Sequence, residues 1–385
     1  MTIARALLGV AVLLVVSCTR TPSVVVVPSP SPEPGVLEVT ALLDLSGSRA
    51  PRGDPQRNAL QLWSDLDQSR GGSRVALRVK VVDVCGSDAR LLIELRRAAE
   101  EDRADAVIVG VPVSLATPTF AEAARAAAMP VLLTLPVADP VAQPGGRWIF
   151  ALAPTPEQIA RRVADAPVLG DTRVTSILAP VGKPLDGEAA ALSGAYRRLG
   201  VPEPVVVRPD PEQPVAAVRF MSAARRVHVA GAPRDWAAIA QQLKQTPRGP
   251  TYVLSYFTDP SDLGEFRDGL DAVWPAPLLL TASAVPPNAA AAPRRQFIQS
   301  FNDRHGPPSA HAAAAYDALS LLALAAERVG ADDRERLREQ VEVTAFAGVA
   351  STYALSVKRH AAYADSDLAL YRWSGSAPAL DPRAR

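Results

Sequence analysis

Three hydroxyl side chains in one short segment have the chemistry to bind a small molecule. Ser114, Thr117 and Thr119 lie between an apolar run and an alanine-rich stretch. Hydroxyl groups ahead of a helix can hydrogen-bond a ligand, or they can cap the helix itself. Ser114 is the best ligand candidate, because it lies too far ahead of the helix predicted to begin near Phe120 to cap that helix. For Thr117 and Thr119 both roles stay open.

The segment around these hydroxyls predicts a strand, a loop, a helix and a second strand. Residues 107–110 read VIVG, residues 131–134 read VLLT, and a helical pattern lies between them from Phe120 to Ala128. Two strands joined through a helix run parallel in one sheet. Small ligands bind at the carboxyl ends of such strands, ahead of the helix N-termini. The loop Val111–Thr119 is therefore the predicted ligand loop.

The same alternation continues along the chain, whose 385 residues exceed what one core usually holds and so predict two domains. A first strand from Leu37 precedes a loop at Leu45–Asp54. Further strands are predicted at Val75–Val84, Val174–Ala179, Val205–Arg208, Val227–Ala230, Tyr252–Tyr256 and Ala276–Thr281. Further helices are predicted at Asn58–Gln68, Asp88–Glu101, Gly187–Leu199, Ala216–Ala224, Trp236–Gln245, Pro293–Arg304, His311–Val329 and Asp333–Val343. The chain is thus α/β, with a second α/β unit after the first.

Composition and motifs argue against an enzyme and against a nucleic-acid-binding protein. The formal net charge is +1, so the basic footprint of a nucleic-acid-binding protein is missing. The four histidines are scattered, and no GxSxG sequence, P-loop or metal-ligand spacing occurs. His305 and His311 are expected at the surface. We therefore predict no catalytic residue, no metal and no cofactor.

The N-terminus predicts export. Arg5 precedes an apolar run, Ala6–Val16, that is too short for a comfortable membrane span. Residues 15–18, VVSC, resemble the lipobox of bacterial lipoproteins, which implies a signal peptide over 1–17 and a diacylated Cys18; an ordinary signal peptide with an incidental cysteine is the alternative. Residues 18–36, rich in proline and serine, predict a disordered tether. We expect an extracytoplasmic protein anchored in the cell membrane by its lipid.

Several segments spread along the chain carry a resemblance to one family. They are LSGSRAPRG at 45–53, GG at 71–72, VVD at 81–83, VGVPVS at 109–114, FIQSFNDRHGPPSAHAAAAYDALSLLALA at 297–325, FAGVASTYAL at 346–355 and LALYRW at 368–373. In this order and spacing they resemble the type I solute-binding proteins of branched-chain amino acid ABC transporters over Leu37–Trp373.

The resemblance implies a fold class and a domain division. Two Rossmann-like lobes, each with a parallel sheet flanked by helices, would be joined by three hinge crossovers and close on a ligand. Residues 37–149 and 277–345 would form lobe 1, and residues 150–276 and 346–373 would form lobe 2. Residues 374–385 would form a C-terminal tail.

The resemblance also implies ligand contacts. In amino-acid-binding relatives a hydroxyl after the third strand helps to hold the carboxylate. Ser114 matches this hydroxyl, and Thr134 keeps a hydroxyl near the next strand end. The full set of implied contacts is Ser46, Arg52, Ser114, Leu115, Thr134, Val137, Ala138, Ala232 and Phe257.

The groups that hold the α-amine in those relatives are missing here. The threonine that helps to hold the amine falls on Ala138, and its acidic partner falls near Phe257. Two tyrosines of the relatives are also replaced, since they fall on Arg52 and near Ala232. Burying an ammonium group without an anionic partner costs several kcal/mol, so we expect a small polar or anionic ligand and not a free amino acid. Asp235 or Asp259 could substitute for the missing acid if the loops differ.

Cys85 matches one half of a disulfide in relatives, but the partner position falls on Val113. With Cys18 acylated, no other cysteine exists. We expect Cys85 to be a small buried apolar filler, in preference to a reactive thiol.

The function implied by the resemblance is capture of a small molecule outside the cytoplasm and its delivery to the permease of an ABC importer. The alternative is a lipoprotein of the same fold that senses a ligand or regulates a cell-wall enzyme. Neighbouring permease and ATPase genes would favour transport, whereas an isolated gene or a kinase gene would favour sensing.

Overall fold

The structure is a computed structural model that describes residues 35–47, 50–69, 75–115, 118–143, 145–164, 175–179, 183–208, 224–230, 250–256, 258, 272–277, 291–331, 333–373 and 378–380. The predicted signal peptide, Cys18 and nearly all of the predicted tether lie outside these residues. So do Thr117, Ala232, Asp235, Phe257, Asp259, the predicted helix Trp236–Gln245 and most of the predicted helix Ala216–Ala224.

The described helices and strands alternate along most of the chain. In chain order they are β1 (Val36–Leu43), α1 (Ala50–Ser69), β2 (Ala76–Asp83), α2 (Asp88–Glu100), β3 (Ala106–Val109), α3 (Pro118–Ala127), β4 (Val131–Leu133), β5 (Ile149–Ala151), α4 (Pro156–Ala164), β6 (Thr175–Leu178), α5 (Lys183–Arg198), β7 (Val205–Val207), β8 (Arg226–Val229), β9 (Thr251–Leu254), β10 (Ala272–Pro277), α6 (Ala292–His305), α7 (Ala310–Val329), α8 (Arg334–Glu342), β11 (Ala345–Ala347), β12 (Thr352–Ala354), β13 (Leu368–Trp373) and β14 (Pro378–Leu380).

The first sheet consists of parallel strands in the order β2-β1-β3-β4-β5. The predicted strand–helix–strand unit is confirmed, because β3 and β4 pair in parallel and α3 connects them. Side chains alternate between two apolar layers, as the period of a strand requires. Ile108 faces a layer formed with α1, α6 and α7, whereas Val107 and Val109 face a layer formed with α2 and α3. Helices therefore cover both faces of this sheet.

Helix α1 begins earlier than the sequence pattern predicts. The predicted loop Leu45–Asp54 is helical from Ala50, because Pro51 occupies the first turn, where backbone N–H groups have no acceptor within the helix. Gly53 lets this turn pack on the end of β1, since a Cβ atom at Gly53 would lie 1.9 Å from the Asp44 carbonyl oxygen. Arg52 therefore belongs to a helix and not to a loop.

The second sheet has the order β14-β13-β10-β9-β8-β6-β7. The strands from β7 to β10 are parallel, as predicted for the second α/β unit. β13 is antiparallel to both β10 and β14. β10 begins at Ala272, earlier than the predicted strand Ala276–Thr281, and β14 lies within residues 374–385, for which a tail is predicted.

The chain passes several times between the first sheet, with the helices packed on it, and the second sheet. It leaves the first sheet after β5, returns with α6 and α7, which pack on that sheet, and enters the second sheet again at β13. The short hairpin of β11 and β12 lies within this last passage, between α8 and β13. None of the helices that the structure describes has the length and apolar character needed to cross a bilayer.

Candidate ligand site at the strand ends

The carboxyl ends of β1, β3 and β4 lie side by side at one edge of the first sheet, because these strands are parallel neighbours. Arg52 lies in the first turn of α1, which follows β1. The other predicted contacts that the structure describes follow the three strand ends: Ser46 after β1, Ser114 and Leu115 after β3, and Thr134, Val137 and Ala138 after β4.

The loop after β3 presents an exposed polar side chain. Ser114 is exposed, whereas Leu115 is buried in the apolar cluster that includes Phe120. Because α3 begins at Pro118, Ser114 lies too far from this helix to cap it. A small molecule at this edge of the sheet can therefore reach the Ser114 side chain.

Thr134 has a different environment. Its side chain is fully buried, and its hydroxyl donates to Gln56 Oε1 at 2.6 Å and lies 3.3 Å from the Val109 carbonyl oxygen. In this arrangement the hydroxyl makes its hydrogen bonds to protein groups in the interior and is not exposed at the strand ends. After it, Val137 is buried and Ala138 is exposed but has no polar side-chain atom.

A polar cluster surrounds Cys85 at the ends of β1 and β2. The Ser46 hydroxyl donates to Cys85 Sγ at 3.0 Å, and Arg90 Nη1 lies 3.3 Å from the same sulfur. Asp83 Oδ1 accepts from the backbone N–H groups of Leu45 and Cys85, both at 2.9 Å. Burial favours a higher pKa for Asp83, but these hydrogen bonds outweigh it and hold the pKa below its usual value.

The prediction that Cys85 is a buried apolar filler is wrong. Cys85 is a partly exposed cysteine whose sulfur contacts the hydroxyl of Ser46 and the guanidinium of Arg90. Its φ of 52° places it in the left-handed turn that leads from β2 to α2. The polar surroundings arise because the chain leaves the sheet here and its backbone N–H groups need acceptors.

The second sheet also carries polar groups at its carboxyl edge. The Ser255 hydroxyl, directly after β9, donates to Glu188 Oε1 on α5 in a short hydrogen bond. Since β6 and β9 flank β8, this bond spans the carboxyl end of β8. Thr258 is fully buried nearby, and its hydroxyl has no hydrogen-bond partner within the part of the chain that the structure describes. Glu188 thus provides a carboxylate at this edge.

A buried carboxyl group joins α7 to two of the passages between the sheets. Asp317 accepts from the backbone N–H groups of Val349 at 2.6 Å and Ala350 at 2.8 Å. The Tyr353 hydroxyl lies 3.0 Å from Asp317 Oδ2 and 3.1 Å from the Leu152 carbonyl oxygen. Leu152 directly follows β5 and Tyr353 lies in β12, so this cluster connects the first and last passages.

The protonation of Asp317 is coupled to this cluster. Burial raises the pKa of Asp317 to about 7, although hydrogen bonds from Val349, Ala350 and Tyr353 favour the ionised form. When the carboxyl is protonated, it can donate to the Tyr353 oxygen while Tyr353 donates to Leu152. Burial also raises the pKa of Tyr353 well above its usual value, so its hydroxyl keeps its proton.

His360 holds the last passage against β5. The side chain is fully buried and stacks on Phe150, with ring centroids 4.4 Å apart. Its Nδ1 lies 2.9 Å from the carbonyl oxygens of Gly146 and Ile149, and its Nε2 lies 2.9 Å from Glu342 Oε1. We refer to Leu152, Asp317, Tyr353 and His360 as the crossover junction.

The remaining histidines do not form a reactive centre. His311 is fully buried in α7 beside the Tyr256 ring, so its predicted surface position is wrong; α7 is buried on nearly all sides. His305 is exposed, as predicted, at the end of α6. Burial, assisted by Arg226, lowers the pKa of His228 to about 3. Within the described ranges, no group of three or more histidine, cysteine, aspartate or glutamate side chains could hold a metal ion.

Two residues of these clusters are not predicted from the sequence, for different reasons. The sequence gives a weak indication that Gln56 is buried, because it lies at helical spacing from Gly53, Ala59 and Leu60, which are buried. The predicted helix begins only at Asn58 and therefore leaves Gln56 out. Asp317 carries no comparable signal, since its acceptor role depends on the distant residues 349 and 350.

One parallel sheet and one mainly parallel sheet, flanked by helices, joined by repeated passages and with polar loops at their carboxyl ends, are typical of α/β proteins that bind small molecules. The chain belongs to the periplasmic binding protein family, whose sequence profile matches residues 37–377. The predicted fold class, that of type I periplasmic binding proteins, is confirmed. The family and the fold are those of non-enzymatic solute-binding proteins.

Solved structures share this fold over nearly their whole length. An extracellular ligand-binding receptor from Rhodopseudomonas palustris HaA2 has 14% identity and a TM-score of 0.73, covering 90% of this chain and 99% of that one. The leucine binding protein LivK from Thermotoga maritima MSB8 has 17% identity and a TM-score of 0.70, with 90% and 97% covered. The branched-chain amino acid transporter substrate binding protein LivJ from Streptococcus pneumoniae, in complex with isoleucine, has 16% identity and a TM-score of 0.70, with 90% and 99% covered. No curated protein sequence matches this chain.

Proposed function

We propose that this protein is an extracytoplasmic, lipid-anchored solute-binding protein that captures a small polar or anionic molecule between two lobes and delivers it to an ABC importer. The observation that carries the proposal is the exposed Ser114 in the loop after β3, where parallel strand ends meet. Relatives of the same fold that bind leucine or isoleucine support solute binding.

The two lobes are proposed as residues 37–149 with 277–345 and residues 150–276 with 346–373. The separate sheets and the repeated passages between them support this division. A ligand that contacts both lobes would stabilise a closed arrangement. Small-angle scattering should then show a smaller radius of gyration when a ligand saturates the protein, and an unchanged radius would contradict hinge closure.

The proposed ligand carries a carboxylate or an amide and lacks the combination of an ammonium group and a carboxylate that a free amino acid has. Ser114 can donate a hydrogen bond, and Arg52, in the first turn of α1, is proposed to lie near the mouth of the site. Of the predicted amine contacts, Ala138 has no polar side-chain atom. Glu188, already bonded to Ser255, provides an acceptor at the edge of the second sheet for an N–H donor, either an amide or an ammonium group, and the panel below separates the two.

A thermal-shift panel tests this ligand class. The panel contains leucine, isoleucine, valine, 4-methylpentanoate, which is leucine without its amine, and 4-methylpentanamide. A compound at one hundred times its dissociation constant should raise the free energy of unfolding by about 2.7 kcal/mol. We expect the carboxylate or the amide to stabilise the protein more than leucine does. Strong stabilisation by the amino acids alone would overturn the proposed ligand class.

The membrane anchor is proposed to be a diacylated Cys18, supported by the residues VVSC after an apolar run. Mass spectrometry of the membrane fraction should find a mature chain that begins at a lipid-modified Cys18, and Cys18→Ser should release the protein. An unmodified Cys18 would contradict the anchor.

Delivery to a permease requires a separate test. Cells that lack the protein should take up the strongest stabiliser of the panel more slowly, and restoring the gene should restore uptake. Equal uptake with and without the protein would favour the sensing alternative.

A further inference from the structure

Gln56 is a fully buried glutamine whose side-chain amide forms hydrogen bonds at the carboxyl ends of the strands. Nε2 donates to the carbonyl oxygens of Arg52 at 3.0 Å and Gly110 at 2.8 Å, and Oε1 accepts from the Thr134 hydroxyl at 2.6 Å. Two donors thus meet two carbonyl acceptors, and the amide oxygen meets a hydroxyl donor. We call this set of bonds the strand-end bracket.

The strand-end bracket connects α1 to two neighbouring loops. Gly110 directly follows β3 and opens the loop that carries Ser114 and Leu115, and Thr134 directly follows β4 and opens the loop that carries Val137 and Ala138. One amide group therefore fixes the first residue of each loop relative to the helix that contains Arg52.

The fit around the amide is close. A Cβ atom at Gly110 would lie 2.3 Å from Gln56 Oε1 and 2.4 Å from Leu43 Cδ2, so the backbone can approach the glutamine only because residue 110 has no side chain. The Thr134 hydroxyl also lies 3.3 Å from the Val109 carbonyl oxygen, which leaves it between two protein acceptors. The bracket is therefore a packed unit and not a loose contact.

We propose that Gln56 is a positioning residue of the ligand site, which sets the spacing of the two loops without touching the ligand. This inference rests on the proposed function, because it assigns the loops after β3 and β4 to ligand binding. It also gives Thr134 the role of partner to Gln56 in place of a direct ligand contact.

The chemistry of the amide makes the proposal specific. A glutamate at position 56 has nearly the same shape but would turn acceptor oxygens toward the Gly110 and Arg52 carbonyl groups. A leucine would leave both carbonyls and the Thr134 hydroxyl without this partner, and buried unsatisfied groups are costly. Thr134→Val removes the donor to Oε1 at constant shape, whereas Thr134→Ser keeps it.

The first measurement is hydrogen–deuterium exchange of the full chain without any added small molecule. The amides of Gly110 and Thr134 donate to the carbonyl oxygens of Leu42 at 2.9 Å and Val109 at 3.2 Å, and they report directly on the bracket. Gln56→Glu and Thr134→Val should raise exchange in peptides containing these amides by about ten-fold, equivalent to about 1.4 kcal/mol. Exchange at Ala230 in the second sheet should not change.

Two variants serve as matched controls. Gln61→Glu alters an exposed glutamine of the same helix, whose Nε2 bonds Asp65 at 2.9 Å, and it should leave exchange at both amides unchanged. Thr134→Ser should restore most of the protection that Thr134→Val removes. Unchanged exchange in Gln56→Glu, or equal acceleration throughout the chain, would overturn the positioning role.

The second measurement is calorimetric titration with 4-methylpentanoate. If the wild-type chain binds it, Gln56→Glu and Thr134→Val should weaken binding about ten-fold, and Thr134→Ser should rescue it. Loosened loops with wild-type affinity would overturn the inference. If the wild-type chain does not bind this carboxylate, the titration is repeated with 4-methylpentanamide. Binding of neither compound, with strong binding of leucine, would overturn the proposed ligand class, and the exchange data would still decide whether Gln56 holds the two loops.

Discussion

The strand-end bracket and the crossover junction are both buried polar clusters, but they use different chemistry. The bracket is built on a neutral amide, Gln56, whose donors and acceptor all have partners. The junction is built on the carboxyl of Asp317, whose pKa burial raises to about 7, and on the imidazole of His360, and both hold the passages between the sheets. The comparison indicates that pH should act on the junction and leave the geometry of the bracket unchanged. It also indicates that the larger losses of stability should come from the junction.

The largest effect is expected for Asp317→Leu. The leucine would leave the buried N–H groups of Val349 and Ala350 without an acceptor, and Tyr353 would lose one of its two partners. We expect the free energy of unfolding to fall by about 3–5 kcal/mol in urea denaturation. Asp303→Leu, at an exposed position of α6, is the control and should change it by less than about 0.5 kcal/mol. Equal stability of the two variants would contradict the role of Asp317.

The free energy of unfolding should depend on pH because Asp317 titrates. Its pKa of about 7 in the folded protein lies above the usual 3.8, so between these values the folded state binds more protons than the unfolded state. The contribution of Asp317 to stability should therefore fall as pH rises from about 4 to about 7, by at most about 1.4 kcal/mol per pH unit.

The difference in unfolding free energy between the wild type and Asp317→Asn isolates this contribution. The contribution of Asp83 to the free energy of unfolding is the same in both proteins and cancels in the difference. Because the pKa of Asp83 is lowered in the folded state, its stabilising contribution is fully present above about pH 3.8 and is lost only below that pH. A difference that stays constant between pH 4 and pH 7 would show that Asp317 does not titrate there.

A smaller effect is expected for His360→Phe. Phenylalanine keeps a ring to stack on Phe150 but removes the hydrogen bonds to Gly146, Ile149 and Glu342. Glu342 keeps its ion pair with Arg338 at 3.1 Å, so the loss should be about 1–3 kcal/mol by urea denaturation. The exposed His305 provides the control, and a loss no larger than that of His305→Phe would contradict the assigned role.

The smallest effect is expected away from both clusters. Arg304 pairs with Asp65 at the surface, where water and salt screen the attraction. Arg304→Ala should lower stability by less than about 1 kcal/mol, and the difference should shrink in 1 M salt. A loss as large as that of Asp317→Leu would show that burial does not explain the ranking.

The sequence predicts local units of this fold well. The strand–helix–strand unit around Ser114 follows from apolar runs and a helical period, and the structure confirms β3, α3 and β4. The pattern places the start of α1 too late, because Pro51 and Gly53 are typical of loops. Here the proline occupies a first turn, and the glycine is required by the closeness of Asp44.

Contacts between distant segments could not be predicted from spacing. The resemblance implies a ligand contact for Thr134, and spacing along the chain gives no sign of its hydrogen bond to Gln56, which lies 78 positions away. His311 was expected at the surface because it opens a helix, yet α7 is buried on nearly all sides. In both cases the missing information is which element packs against the residue.

Titration of 4-methylpentanoate into the wild-type chain and into Ser114→Ala tests most directly whether the loop after β3 binds the ligand. Ser114 is exposed, so the change should leave the melting temperature unaltered. We expect the wild-type chain to bind the carboxylate and Ser114→Ala to bind it about three- to ten-fold more weakly, the loss expected for one hydrogen bond. Identical affinities would show that the loop after β3 is not the binding site.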